Sequence, residues 1–186
     1  MSEKDNLSLK AYHQIKKMIL DGKLKQGQGI SISAMAEELG ISRTPVANAC
    51  QRLEYEKLLT IVPKQGVIIN TISVEAACGI YELRAAIESF NAKRIMDKIN
   101  AEDIECLKKS IEKQISHVES GDVHAFMRED TFFHRYLLDK NPNMEWVSIV
   151  NPLYDRAYLL GMKNSTKSRL LGAINEHKLI VDAMER

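Results

Sequence analysis

Long apolar runs are missing from this chain. No stretch approaches the ~18–20 apolar residues that a bilayer-spanning helix needs, so no transmembrane segment is expected. The start, MSEKDNLSLK, has no apolar h-region, so no secretory leader is expected. Cysteine is scarce. Cys50, Cys78 and Cys106 form no CxxC pair, and an odd, widely spaced set reads as reduced thiols in a cytoplasm. An excess of one charge is also missing: 26 Lys/Arg face 25 Asp/Glu, for a formal net charge of +1. Four prolines and nine glycines leave room for long helices, and there are no repeats or low-complexity tracts. What remains is an ordinary globular composition, 45% apolar and 27% charged over 186 residues, enough for one large domain or two small ones.

The near-zero total charge hides a modest split. Residues 1–72 hold ten Lys/Arg against seven Asp/Glu, and the remainder holds 16 against 18. A nucleic-acid-binding front half is permitted by this surplus but not established by it. Leu9, Tyr12, Ile15 and Ile19 fall at helical spacing before an Asp21-Gly22 stop. Ser31 caps a short helix closed by Gly40, and Ser42 caps the next, with Pro45 in its first turn. Val46, Ala49, Cys50 and Leu53 mark the inner stripe of that second helix. Two helices joined by a tight glycine turn make a helix-turn-helix candidate. Leu58–Val62 and Val67–Ile69, joined by Pro63-Lys64-Gln65-Gly66, read as a β-hairpin. This order is that of a winged helix.

Beyond Ser73 no segment alternates like a strand. Ile80, Leu83, Ile87 and Phe90 continue one helical stripe, and Asn100 caps a helix carrying Ile104, Leu107, Ile111 and Ile115. Further helices are expected over 123–139, over 145–162 with a kink or split at Pro152, and from Ser168 onward. The expected fold class is mainly α: a winged helix over 1–72 and an all-α bundle over 73–186.

Met35-Ala-Glu-Glu-Leu-Gly-Ile-Ser-Arg-Thr-Pro-Val46, with Arg52-Leu-Glu and Val62-Pro-Lys-Gln-Gly66-Val downstream, resembles the winged helix of the GntR family of bacterial transcription regulators. The resemblance implies a double-stranded DNA operator as partner and a DNA-facing set of Ser33, Ser42, Arg43, Thr44, Lys64, Gln65 and Gly66. The chemistry is consistent. A helix N-terminus attracts phosphate, hydroxyls add short donors, and Arg43 can take guanine O6 and N7 with both arms of its fork. Two departures thin the basic face. Ala47-Asn48-Ala49-Cys50 stands where the family usually has Arg-Glu-Ala-Leu, and Ser33 where many members have arginine. Weaker affinity and a shallow salt dependence are expected.

The second half resembles the all-helical FCD-type effector domain of the FadR-like branch of that family, through Glu82-Leu83-Arg84-Ala-Ala-Ile-Glu88, Asp130-Thr-Phe-Phe-His134, Asn141 and Glu176-His177. The resemblance implies a divalent metal (zinc, or nickel or manganese) on Asp130, His134 and His177. It also implies an effector pocket with Arg84 and Asn141. Asp130 and His134, four apart, share a helical face, and an oxygen plus an imidazole there make half a metal site. Arg84 suits a carboxylate, or a salt bridge to Glu88 four residues on. The family's fourth ligand lies roughly twenty residues beyond the Glu-His pair, whereas nine residues follow His177. Either the sequence is cut short or this member lacks the last helix, and in the second case a looser three-ligand site is expected. The resulting expectation is a homodimeric, carboxylate-sensing regulator, a repressor of a metabolic operon, and not an enzyme. Alternatives are a metal-free acyl-ligand sensor or a ligand-independent regulator on the same scaffold and, remotely, a helical metalloenzyme.

Overall fold

The computed structural model describes residues 3–141 and 143–186. The chain divides into two compact units, Met1–Ser73 and Val74–Arg186. In the first, α1 (Glu3–Leu20) is followed by β1 (Gly29–Ile30), α2 (Ile32–Leu39), α3 (Arg43–Tyr55), β2 (Leu59–Val62) and β3 (Gly66–Ile69). The apolar stripe of α1, Ala11, Tyr12, Ile15 and Ile19, is no more than 4% exposed and packs on α3. Val46, Ala49, Cys50 and Leu53 answer it from the other side. Each such large apolar side chain contributes roughly 1.5–3 kcal/mol on burial. A polar clamp fixes the same contact. Tyr12 Oη donates to Glu56 Oε1 at 2.7 Å, Lys16 Nζ donates to Glu56 Oε2 at 2.7 Å, and Arg52 lies 3.8 Å over the Tyr12 ring.

The caps follow the sequence. Ser31 Oγ accepts from Ala34 N, and Gly40 closes α2 in the left-handed region at φ +65. Ser42 holds the N-cap position of α3 without a side-chain cap bond. The hairpin is antiparallel, with Leu59 opposite Ile69 and Val62 opposite Gly66. Pro63 followed by Lys64 at φ +66, closed by Gln65 N to Val62 O at 3.0 Å, is the pattern of a type II turn.

A third strand was not legible. β1 pairs with β3 through Gly29–Ile68 and Ile30–Val67, giving the order β1-β3-β2. Two residues are too short to show alternation. This strand explains Gly66. At φ +118, a Cβ there would run into the Ile30 carbonyl oxygen and lie 2.8 Å from Ser31 Cα. Gly66→Ala is therefore expected to destabilise the first unit by about 1–3 kcal/mol. A thermal melt that does not move would contradict this packing.

The second unit consists of α4 (Val74–Ile95), a 3-10 turn (Met96–Lys98), α5 (Ala101–Ser120), α6 (Val123–Asp139), α7 (Met144–Asn164) and α8 (Lys167–Met184). Asn100 and Asp103 form a reciprocal capping box on α5, and Asp122 and Thr166 cap α6 and α8. α5 packs on α6 and α8, α6 on α7, and α4 on α6 and α7. Pro152 does not split α7, which runs through it. The α4 stripe is divided: Ile80 is buried, whereas Leu83 and Phe90 are 56% and 51% exposed. α4 turns Asn91 and Ile95 inward instead. No helix among the described residues is long and apolar enough to cross a membrane.

Candidate functional site

In the first unit, α3 exposes Ser42, Arg43 and Thr44 at its N-terminal end, and Ser33 is exposed on the first turn of α2. Lys64 and Gln65 are exposed at the turn between β2 and β3. Gly66 is committed to the approach of β1, a structural reason for glycine that the sequence did not reveal.

In the second unit the structure draws together Asp130, His134 and His177, whose ligand atoms all lie within 4.8 Å of one another. Helical phase places Asp130 and His134 on one face of α6, and α8 brings His177 against them. His177 Nε2 lies 3.1 Å from His134 Nε2 and 3.6 Å from Asp130 Oδ1, which is 4.0 Å from His134 Nε2. Phe133 stacks on the His177 ring with centroids 4.2 Å apart, which holds the imidazole in place.

The outer nitrogen of each imidazole is held from behind. His134 Nδ1 is 3.0 Å from Glu88 Oε2, and His177 Nδ1 is 2.7 Å from Gln114 Oε1. Acceptors at each Nδ1 suit a proton there and aim both Nε2 atoms at one point. Burial, together with His134, pushes the His177 imidazole down to about 3, so it is neutral. Burial alone would raise Glu88. Contact with His134, Arg84 and the Tyr154 hydroxyl outweighs it and holds the carboxyl at about 2. Two Nε2 atoms at 3.1 Å share either a proton or a metal ion. Metal–nitrogen bonds of about 2.0–2.1 Å can span that gap. The donor set therefore fits a divalent cation with imidazole and carboxylate ligands.

The three residues open on a cavity of about 270 Å³ that is also lined by Arg84, Tyr81, Met127, Ser165 and Arg169. Arg84 Nε donates to Glu88 Oε1 at 2.9 Å, and its guanidinium lies 5.0 Å over the Tyr154 ring. Burial would lower its pKa, but Glu88 and Asp130 raise it, so Arg84 is a fixed cation in the cavity wall.

Asn141 is not brought to this cavity. It is 4% exposed, donates to Asn91 Oδ1 at 2.9 Å and accepts from Asn143 N, while Asn91 donates to the Leu137 carbonyl. It braces the end of α6 rather than facing an effector. Glu88 as an imidazole partner, and Gln114 altogether, were missed. Gln114 sits seven residues after Leu107 on the buried face of α5, and a lone carboxamide at a core phase was the one available signal.

A helix-turn-helix with a β-wing, joined to a helical unit with an open cavity that reaches Arg84, Asp130, His134 and His177, is the architecture of a DNA-binding transcription regulator. Residues 7–69 match the family model "Bacterial regulatory proteins, gntR family" and residues 79–186 match "FCD domain". The chain belongs to the GntR family, in the FadR-like branch that carries an FCD domain. These families are transcription regulators, not enzymes. The HTH-type transcriptional regulator YdhC of Bacillus subtilis is 26% identical over 180 residues, covering 96% of this chain and 80% of that protein. The gluconate operon transcriptional repressor of the same organism is 23% identical over 190 residues, covering 98% and 77%. Among solved structures, Escherichia coli McbR/YncC shares the fold with a TM-score of 0.81 at 21% identity, covering all of this chain and 87% of that one.

Proposed function

We propose that this regulator represses a metabolic operon and senses a small carboxylate through a divalent metal held by Asp130, His134 and His177. The observation that carries the reading is the pair of Nε2 atoms at 3.1 Å, each backed at Nδ1, opening with Asp130 on the cavity lined by Arg84. The metal, when bound, supplies a Lewis-acidic site for an anionic oxygen. The chain's own residues do the rest. Glu88 and Gln114 orient the imidazoles, Phe133 fixes the His177 ring, and Arg84 pairs with the ligand carboxylate. The relative named for gluconate points to a sugar acid as the first class to try. Isothermal titration of sugar acids and other small carboxylates into protein saturated with zinc, nickel or manganese tests the reading. Binding that is lost in Arg84→Ala supports it. No heat from any carboxylate, with metal bound, refutes the sensing role.

A second reading has its own observation. A separate cavity of about 220 Å³ shares Ala85, Glu88, His134 and Ile180 with the first, but its other walls are mostly Ala92, Ile95, Leu137, Leu138 and Met184. That lining suits an apolar or acyl ligand without metal. Fatty-acid binding that persists after chelation would favour it over the carboxylate reading.

The active form is a homodimer on a two-fold operator. The surface that supports this is the outer face of α4, where Leu83 and Phe90 are exposed, with the Phe90 ring 5.4 Å from Trp146 and Ile149 69% exposed on α7. Phe90→Asp is expected to give a monomer in sedimentation with unchanged helicity, because the side chain is already half exposed. A variant that still sediments as a dimer would move the interface elsewhere.

A further inference from the structure

The outer face of α3 carries Arg43, Thr44, Asn48, Gln51 and Tyr55, all exposed. At 3.6 residues per turn, Thr44, Asn48, Gln51 and Tyr55 fall within a strip about 60° wide, with Arg43 beside its N-terminal end. The orientation of this strip is fixed from behind, since Val46, Ala49, Cys50 and Leu53 on the opposite face are no more than 2% exposed. Two members of the strip are carboxamides. The Gln51 side chain makes no hydrogen bond within the protein among the described residues. Asn48 makes one long contact, Nδ2 to Ser8 Oγ at 3.4 Å, which leaves its oxygen and second N–H available. The nearby cation is turned away: Arg52 lies over the Tyr12 ring and 3.6 Å from Glu56 Oε1. Arg43 is thus the single guanidinium on a reading surface otherwise made of hydroxyls and amides.

We infer that Asn48 and Gln51 are specificity-determining residues that read adenine in the operator. A carboxamide donates to adenine N7 and accepts from its N6 amino group, and no other base edge in the major groove offers that pair to it as well. This rests on the second helix of the motif entering the major groove, as the DNA-binding family assignment requires. Asn48 and Gln51 are three residues apart, about 4.5 Å along the helix axis, against a base-pair rise of about 3.4 Å. The two adenines therefore lie on adjacent or next-but-one base pairs. The G·C pair under Arg43 lies on the side of the helix N-terminus. The longer amide, Gln51, is the one deeper along the helix, where more reach is needed.

The test is selection of duplexes from a random pool by the wild-type protein and by Asn48→Ala, Gln51→Ala and Gln51→Arg. Base frequencies are read by sequencing. The wild type is expected to select a guanine with two A·T pairs beside it. Each alanine variant should relax one of those A·T pairs in each half-site and bind the selected duplex roughly 30-fold to 10⁴-fold more weakly, with random-duplex affinity unchanged. Gln51→Arg should move its position from adenine toward guanine, a gain that a misfolded variant cannot produce. Base profiles that superimpose on the wild type overturn the proposal. So does equal loss on selected and random duplexes, which marks backbone contacts only. If the wild type itself enriches no sequence, specific DNA reading by α3 fails and the proposal falls with it.

Discussion

Arg43→Ala is expected to abolish the distinction between operator and random DNA. A fork-to-guanine pair is worth about 1–3 kcal/mol of base discrimination. The proposed two-fold dimer makes it twice, so the loss is about 2–6 kcal/mol, or roughly 30-fold to 10⁴-fold in affinity for the selected duplex. The structure leaves little to compensate. Arg43 opens α3, it is exposed, and no other guanidinium shares that face, because Arg52 is held over Tyr12. Binding to random duplex should fall far less, since Lys64 and the helix N-terminus still meet phosphate without regard to sequence. Fluorescence anisotropy on both duplexes measures the ratio, and the thermal melt should not change for so exposed a side chain. A selected-to-random ratio equal to that of the wild type would remove Arg43 from the reading surface.

The fold was legible where local rules act alone. Helices α1 to α3 announced themselves through apolar spacing, Ser31 and Gly40, and the wing through β-branched runs around a glycine turn. β1 was not legible, because two residues paired with distant Ile68 and Val67 of β3 leave no local pattern. The α4 stripe was legible as a helix but not as a surface. Spacing by three and four says which residues share a face, and only tertiary packing says whether that face is covered. The candidate metal site divided in the same way. Asp130 and His134 are neighbours through helical phase, whereas the Glu88–His134 and Gln114–His177 contacts join different helices, the latter across 63 positions. Asn141 shows the converse. A residue at a motif's expected spacing was drawn into the Asn91 brace, because a buried carboxamide must satisfy its own hydrogen bonds before it can serve a ligand.

Removing the metal is expected to lower the melting temperature of the wild type by roughly 10 °C. The reasoning starts from the folded state alone. His134 and His177 come from α6 and α8, Asp130 from α6, and their supports Glu88 and Gln114 from α4 and α5, so the site exists only when four helices are assembled. An ion that binds the folded form and not the unfolded one stabilises by about 2.7 kcal/mol at a free concentration a hundredfold above its dissociation constant. For a unit of this size that corresponds to roughly 10 °C. Elemental analysis of the purified protein should find about one equivalent of zinc, nickel or manganese per chain. His177→Ala destabilises by itself through the cavity it leaves, so the decisive quantity is the response to chelation. The wild type should lose its increment on chelation, while His177→Ala and the gentler Asp130→Asn should show a smaller response or none. A wild-type melt that does not respond to chelation, in protein that carries no metal as purified and takes up none, would exclude a metal site at Asp130, His134 and His177. It would leave two alternatives: an apolar ligand in the cavity behind Glu88 and His134, or regulation without a ligand.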